Sequence, residues 1–142
     1  MKHILMPIDP AQPARTRSAI DEVLGMRRDE PVTVHLLRVQ PRVTSHVAMC
    51  FRPGELQAMQ QQAGAEDLQL AQGLLAAAGL PFTSTVRIGR SAPTIVETAR
   101  ELGCDRIVFG RDEPGLTGRL FGSLAQQVRQ LLGGAGVQVS GS

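Results

Sequence analysis

Two hydrophobic periods alternate along the chain. His3-Ile4-Leu5-Met6-Pro7-Ile8 is a short, nearly continuous apolar run, the pattern of a strand buried on both faces. Pro7 has no N–H to give to a ladder, which puts it at the carboxyl end of that strand. Residues 15–28 follow with Ala19, Ile20, Val23 and Leu24 on one side of a helix. Residues 32–39, rich in β-branched side chains, read as a second buried strand. Residues 40–53, bounded by Pro41 and Pro53, read as an irregular loop. A long helix is then predicted from Gly54 to about Ala78, with Leu56, Met59, Ala63, Leu70 and Leu74 near one face and Gly79 ending it. Residues 81–88 alternate as a strand of lower burial. Ala92, Ile95, Val96, Ala99 and Leu102 make an i, i+3, i+4, i+7 stripe, with Ser91 as N-cap and Gly103 as the stop. A fourth strand at 106–109, a helix at 123–132 carrying Leu124, Val128, Leu131 and Leu132, and a short strand within 136–140 complete the pattern.

Strands alternating with helices imply parallel pairing through crossover helices, hence one open α/β domain over residues 1–142 with both faces of its sheet covered. Such sheets bind ligands outside the carboxyl ends of their strands, where the strand order reverses. That rule directs attention to Asp9, Val39 and Gly110, each at the end of a predicted strand.

Composition narrows the chemistry. At 142 residues the chain is the size of a single domain, and 42% hydrophobic against 20% charged residues is enough for a core. Aromatics are 3%, without Trp or Tyr, which argues against stacking platforms for single-stranded nucleic acid or glycans. The net charge of +2, with no basic run beyond Arg27-Arg28, gives no electrostatic footprint for nucleic acid. Lys2 is the sole lysine, so no lysine is available for a Walker loop or an internal Schiff base. Cys50 and Cys104 match no metal or redox spacing and read as free thiols. The first residues lack the pattern of a signal peptide, and no apolar stretch approaches the ~20 residues of a membrane helix. The expectation is a cytoplasmic protein with neither a nucleic-acid nor a membrane partner.

Three segments together resemble the universal stress protein family. They are the strand ending in Pro7-Ile8-Asp9, the stretch from Gly89-Arg90-Ser91-Ala92-Pro93-Thr94-Ile95 to Asp105-Arg106-Ile107-Val108-Phe109-Gly110, and Leu120-Phe121-Gly122-Ser123 before an amphipathic helix. The resemblance runs over residues 3–139, and 89–110 is its most specific part. It implies a Rossmann-like, five-stranded parallel sheet of order 3-2-1-4-5. It also implies a cytoplasmic stress-response role and a homodimer paired through the C-terminal edge strand. Many members bind ATP, AMP or another adenine nucleotide; Mg is implied only for a bound polyphosphate. Carried over by position, Asp9 and the Val39 backbone meet adenosine. Gly110 opens the phosphate signature, and Gly122 and Ser123 hold phosphate. Pro7, Ile8, Phe109 and Leu124 line the same site.

The chain departs from the family's Gly-x2-Gly-x9-Gly-(Ser/Thr) signature. Glu113 stands at the second glycine, and the interval from Gly110 to Gly122 is one residue short. Gly122-Ser123 at a helix start supplies backbone N–H groups and a hydroxyl for an anion, and Arg111 and Arg119 can add charge-assisted bonds. Asp112 and Glu113 oppose them, and Pro114 lacks an N–H. One carboxylate ~4–6 Å from a phosphate charge costs roughly 3–4 kcal/mol before screening, so a monophosphate, or no nucleotide, suits this loop better than a triphosphate.

Simpler roles stand beside these. Asp9 can start the turn into the first helix, Ser123 can be an N-cap, and Glu97 and Glu101 fit a solvated helix face. His3 and His35 sit in neighbouring strands, within reach of each other but without a third metal ligand. Cys104 fits a small buried position, and Met49-Cys50-Phe51 a lid or interface contact. The sequence contains no nucleophile–base arrangement for hydrolysis. Two functional readings follow: a dimeric nucleotide-responsive regulator, and a non-nucleotide dimeric adaptor acting through an unknown protein partner.

Overall fold

In a computed structural model, the structure describes residues 1–111, 124–134 and 136–141. Strand β1 (Lys2–Pro7), helix α1 (Pro13–Arg27), β2 (Val32–Gln40), the short α2 (Ser45–Ala48), α3 (Glu55–Asp67), α4 (Gln69–Ala77), β3 (Phe82–Ile88), α5 (Ser91–Glu101), β4 (Arg106–Val108), α6 (Leu124–Leu132) and β5 (Gln138–Ser140) follow in order. The sheet is five-stranded, in the order β3-β2-β1-β4-β5, and every pairing is parallel. This is the predicted architecture.

The sheet's side-chain alternation separates two cores. Ile4 and Met6 of β1, with Val34 and Leu36 of β2, meet Ala19, Ile20 and Val23 of α1 and Ala71 and Leu75 of α4. Leu5, Leu37 and Ile107 point the other way, to Ile95, Val96 and Ala99 of α5 and Val128 of α6. Ile4, Leu5 and Met6 are fully buried, so β1 contributes to both cores at once, as its unbroken apolar run requires. At about 1.5–3 kcal/mol per fully buried large side chain, these three positions anchor the centre of the sheet.

Three local expectations change. The long helix divides at Leu68, whose φ of −90° and ψ of −8° place it between α3 and α4. Its buried face is Gly64, Leu68, Ala71 and Leu75, whereas Met59 and Leu70 are exposed. The inward face includes the small residues, because Gly64 sits so close to Val86 of β3 that a Cβ there would overlap it. Within the supposed loop, Thr44 caps a single helical turn, accepting from the Val47 N–H at 3.3 Å. Ser91 is the first helical residue of α5, Arg90 holds the cap position, and no side-chain cap bond forms.

Candidate functional site

The carboxyl end of the sheet is shaped by strands that stop at different heights. β1 ends at Pro7, paired with Leu37, and the ladder extends one bond further, from the Ile8 N–H to the Leu37 carbonyl at 2.8 Å. β2 runs on to Gln40, with Val39 and Gln40 registered against Arg87 and Ile88 of β3. In a parallel ladder, alternate residues turn their backbone groups to the same neighbour. The Val39 N–H and C=O therefore face the side where β1 has ended. Next to that gap, a cleft of about 110 Å³ opens above β1, β2 and β4.

Pro7, Ile8, Asp9, Val39, Phe109 and Leu124, expected from the sequence, all line this cleft. They come from the ends of three strands and the start of α6. Leu37, Ile95 and Ser91 complete the wall together with two arginines, Arg15 and Arg38. Gly110 lies beside the cleft rather than in its lining, pressed onto α1. Arg119, Gly122 and Ser123 lie outside the described residues, as do Asp112, Glu113 and Pro114.

Asp9 has a structural duty. The Ala11 N–H donates to its Oδ1 at 2.9 Å, and the Gln12 N–H donates to its carbonyl at 3.0 Å, turning the chain into α1. Asp9 is exposed, and its second carboxylate oxygen accepts no bond from the described residues. Arg38 is fixed by Asp67 at 3.0 Å, which ties the cleft floor to the end of α3. Beyond β4, the Phe109 N–H donates to the Ser140 carbonyl at 2.9 Å and the Arg111 N–H to Ser18 Oγ at 3.1 Å. The start of the 110–123 segment is thus anchored on β5 and α1.

The other candidate groups lie elsewhere. His3 and His35 stack with ring centroids 5.3 Å apart, Nδ1 of one 3.0 Å from Nε2 of the other, and His35 Nδ1 is 2.7 Å from Thr83 Oγ1. Burial, and secondly the neighbouring His3, lower the His35 pKa. This row crosses β1, β2 and β3 near their amino ends, far from the cleft in register. Among the described residues no group of three or more His, Cys, Asp or Glu side chains gathers as a metal site. Burial, and secondly Asp105, push the Cys104 thiol up to about 11.

Sequence reasoning missed Arg15, Leu37, Arg38, Ser91 and Ile95. Arg38 carried a readable signal, a charge inside the apolar run of β2 immediately before Val39. Ile95 carried none, since its place in the α5 stripe assigns it equally well to the core.

A doubly covered parallel sheet with an open cleft at its strand ends is the architecture in which open α/β sheets hold their ligands. The profile of the universal stress protein family matches residues 1–132, and the chain belongs to that family. Solved structures agree in fold. A universal stress protein family member from Burkholderia pseudomallei is 20% identical, with a TM-score of 0.69 over 99% of this chain and 95% of that one. An Arabidopsis thaliana family protein with AMP bound is 15% identical, with a TM-score of 0.65 over 99% and 90% of the two chains. The universal stress protein from Archaeoglobus fulgidus in complex with dAMP is 19% identical, with a TM-score of 0.64 over 99% and 97%. No curated protein matches the chain.

Proposed function

We propose that the cleft binds an adenine nucleotide and that the protein is a cytoplasmic, dimeric, nucleotide-responsive stress regulator. The observation that carries this reading is the meeting of two features at one place. The Val39 backbone offers a donor and an acceptor where β1 has ended, and the exposed Asp9 carboxylate lies in the same cleft. A base edge needs the first, and a ribose hydroxyl pair needs the second. Ile8, Ile95 and Leu124 supply apolar walls for the ring. The AMP and dAMP held by the Arabidopsis and Archaeoglobus relatives support the ligand class. The residues present fit a nucleoside; the expected phosphate contacts at Arg119, Gly122 and Ser123 belong to the undescribed segment. Among the described residues, β5 pairs with β4 alone, so a second copy can add to this edge across a two-fold axis.

The test is release of bound ligand from natively purified protein by denaturation, read by chromatography with mass detection. AMP, ADP and ATP titrations are then followed by thermal shift. Ligand at a hundredfold excess over Kd stabilises by about 2.7 kcal/mol. Asp9→Ala with Ser123→Ala should abolish the effect; unchanged affinity in that pair refutes the site assignment. Sedimentation showing only monomer at micromolar concentration refutes the dimer. Asp112-Glu113-Pro114, in place of the glycine signature, favours a second reading: a dimeric adaptor without nucleotide, acting through a protein partner. An empty extract and no shift at millimolar nucleotide select it.

A further inference from the structure

Beside the cleft, on the outer side of β2, a second groove of about 480 Å³ runs between the end of β3 and the first turns of α5. Its lining is unusual for its arginines: Arg42 from the segment after β2, Arg87 near the end of β3, and Arg90 just before α5. Arg87 is committed to Glu101 at 2.6 Å. The side chains of Arg42 and Arg90 form no hydrogen bond or ion pair with any described residue, although both residues line one concave surface. Two guanidinium groups on one concave surface, neither paired with a described carboxylate, can each give an oxyanion bidentate, charge-assisted bonds. The Thr94 side chain lines the same wall, and Glu97 is the one carboxylate in the lining.

The groove adjoins the cleft. Val39, in the cleft wall, is the register partner of Arg87 in the groove, so the two lie on neighbouring strands about 5 Å apart. Ser91 and Ile95 of α5 face the cleft, while Arg90 and Thr94, one residue earlier in each case, face the groove. We propose that the Arg42–Arg90 groove is a binding site for a phosphate or pyrophosphate group, separate from the cleft and independent of the nucleotide reading given above.

The experiment uses calorimetric titration of the full chain with inorganic pyrophosphate and adenosine. Wild type is compared with the R42A/R90A double variant and with E97Q. Both side chains are exposed and carry no internal bond, so the variants fold, which circular dichroism checks. The double variant should lose at least tenfold in affinity for pyrophosphate, the loss of one or more charge-assisted bonds, while adenosine is bound as in wild type. E97Q should bind pyrophosphate more tightly, because it removes the opposing charge. R42K/R90K should recover affinity only in part, since a lysine cannot bond bidentately. A wild-type protein that binds no pyrophosphate overturns the proposal, and so does a double variant that binds it as wild type does. Pyrophosphate binding lost in the double variant, in a protein that never binds adenosine, supports the groove and refutes the cleft reading instead.

Discussion

Gly110 stands where a phosphate signature begins, yet its surroundings demand a glycine for another reason. Its φ is +79°, and a Cβ built there would overlap the Arg15 carbonyl oxygen and lie 2.9 Å from the Ala19 amide nitrogen, both backbone atoms of α1. Backbone in mid-helix cannot step aside as a side-chain tip can. Gly110→Ala therefore incurs two costs. The left-handed conformation is worth about 1–2 kcal/mol for an L-residue with a Cβ. Forcing α1 away from β4 adds an overpacking cost of about 1–3 kcal/mol. The expected destabilisation is about 2–5 kcal/mol, a large part of the ~5–15 kcal/mol that holds a small domain folded. The assay is urea denaturation followed by circular dichroism. Gly25→Ala serves as the control: Gly25 lies inside α1 with nothing within 4 Å of its Cβ position, so alanine there should stabilise by about 0.5–1 kcal/mol. If Gly110→Ala melts within about 0.5 kcal/mol of wild type at equal m-value, the packing argument is wrong, and the glycine serves close approach of a ligand. If the predicted loss appears, reduced nucleotide binding in that variant says nothing about a phosphate contact at residue 110.

Gly64→Ala should cost about 1–3 kcal/mol, because its Cβ meets the Val86 side chain; Val86→Ala in the same chain should recover part of the loss in a double-mutant cycle. His35 is buried with a lowered pKa, so between that value and the unfolded ~6.5 the unfolded chain binds more protons. Stability should accordingly be complete above pH ~6.5 and fall as pH drops below it; His35→Gln should flatten that slope, and an identical slope in both proteins would refute the assignment. Iodoacetamide at pH 8 should add one group to the native chain, at exposed Cys50, because burial and Asp105 hold the Cys104 thiol at about 11; mass spectrometry should find two adducts after unfolding.

What could be read in the sequence follows the physics of each element. β1 was legible because burial on both faces leaves no polar position, and α5 because large aliphatic residues mark its inward stripe at helical spacing. The α3–α4 face was not, because the inward positions include Gly64 and Ala71, chosen for close approach rather than for apolar area. Weighting residues by hydrophobicity instead favours Met59 and Leu70, which the fold leaves exposed. The cleft was half legible. Strand-end residues such as Asp9 and Val39 follow from the topology of any parallel sheet, but Arg15 and Ser91 reach it from separate helices that no local pattern connects.

Residues at the cleft divide by whether the fold already needs them. Asp9 turns the chain into α1, Gly110 lets β4 pack on that helix, Arg38 is bonded to Asp67, and Ile95 belongs to the second core. Each would be found in this fold with or without a ligand, so their presence cannot distinguish a nucleotide-binding chain from a non-binding one. The side chains of Arg42 and Arg90 differ: exposed, unbonded among the described residues, and set at one concave surface, they have no packing duty to explain them. Removing them should leave stability within about 0.5 kcal/mol of wild type, as for ordinary surface substitutions. A change in ligand affinity would then be free of the folding effects that complicate every other residue at the site.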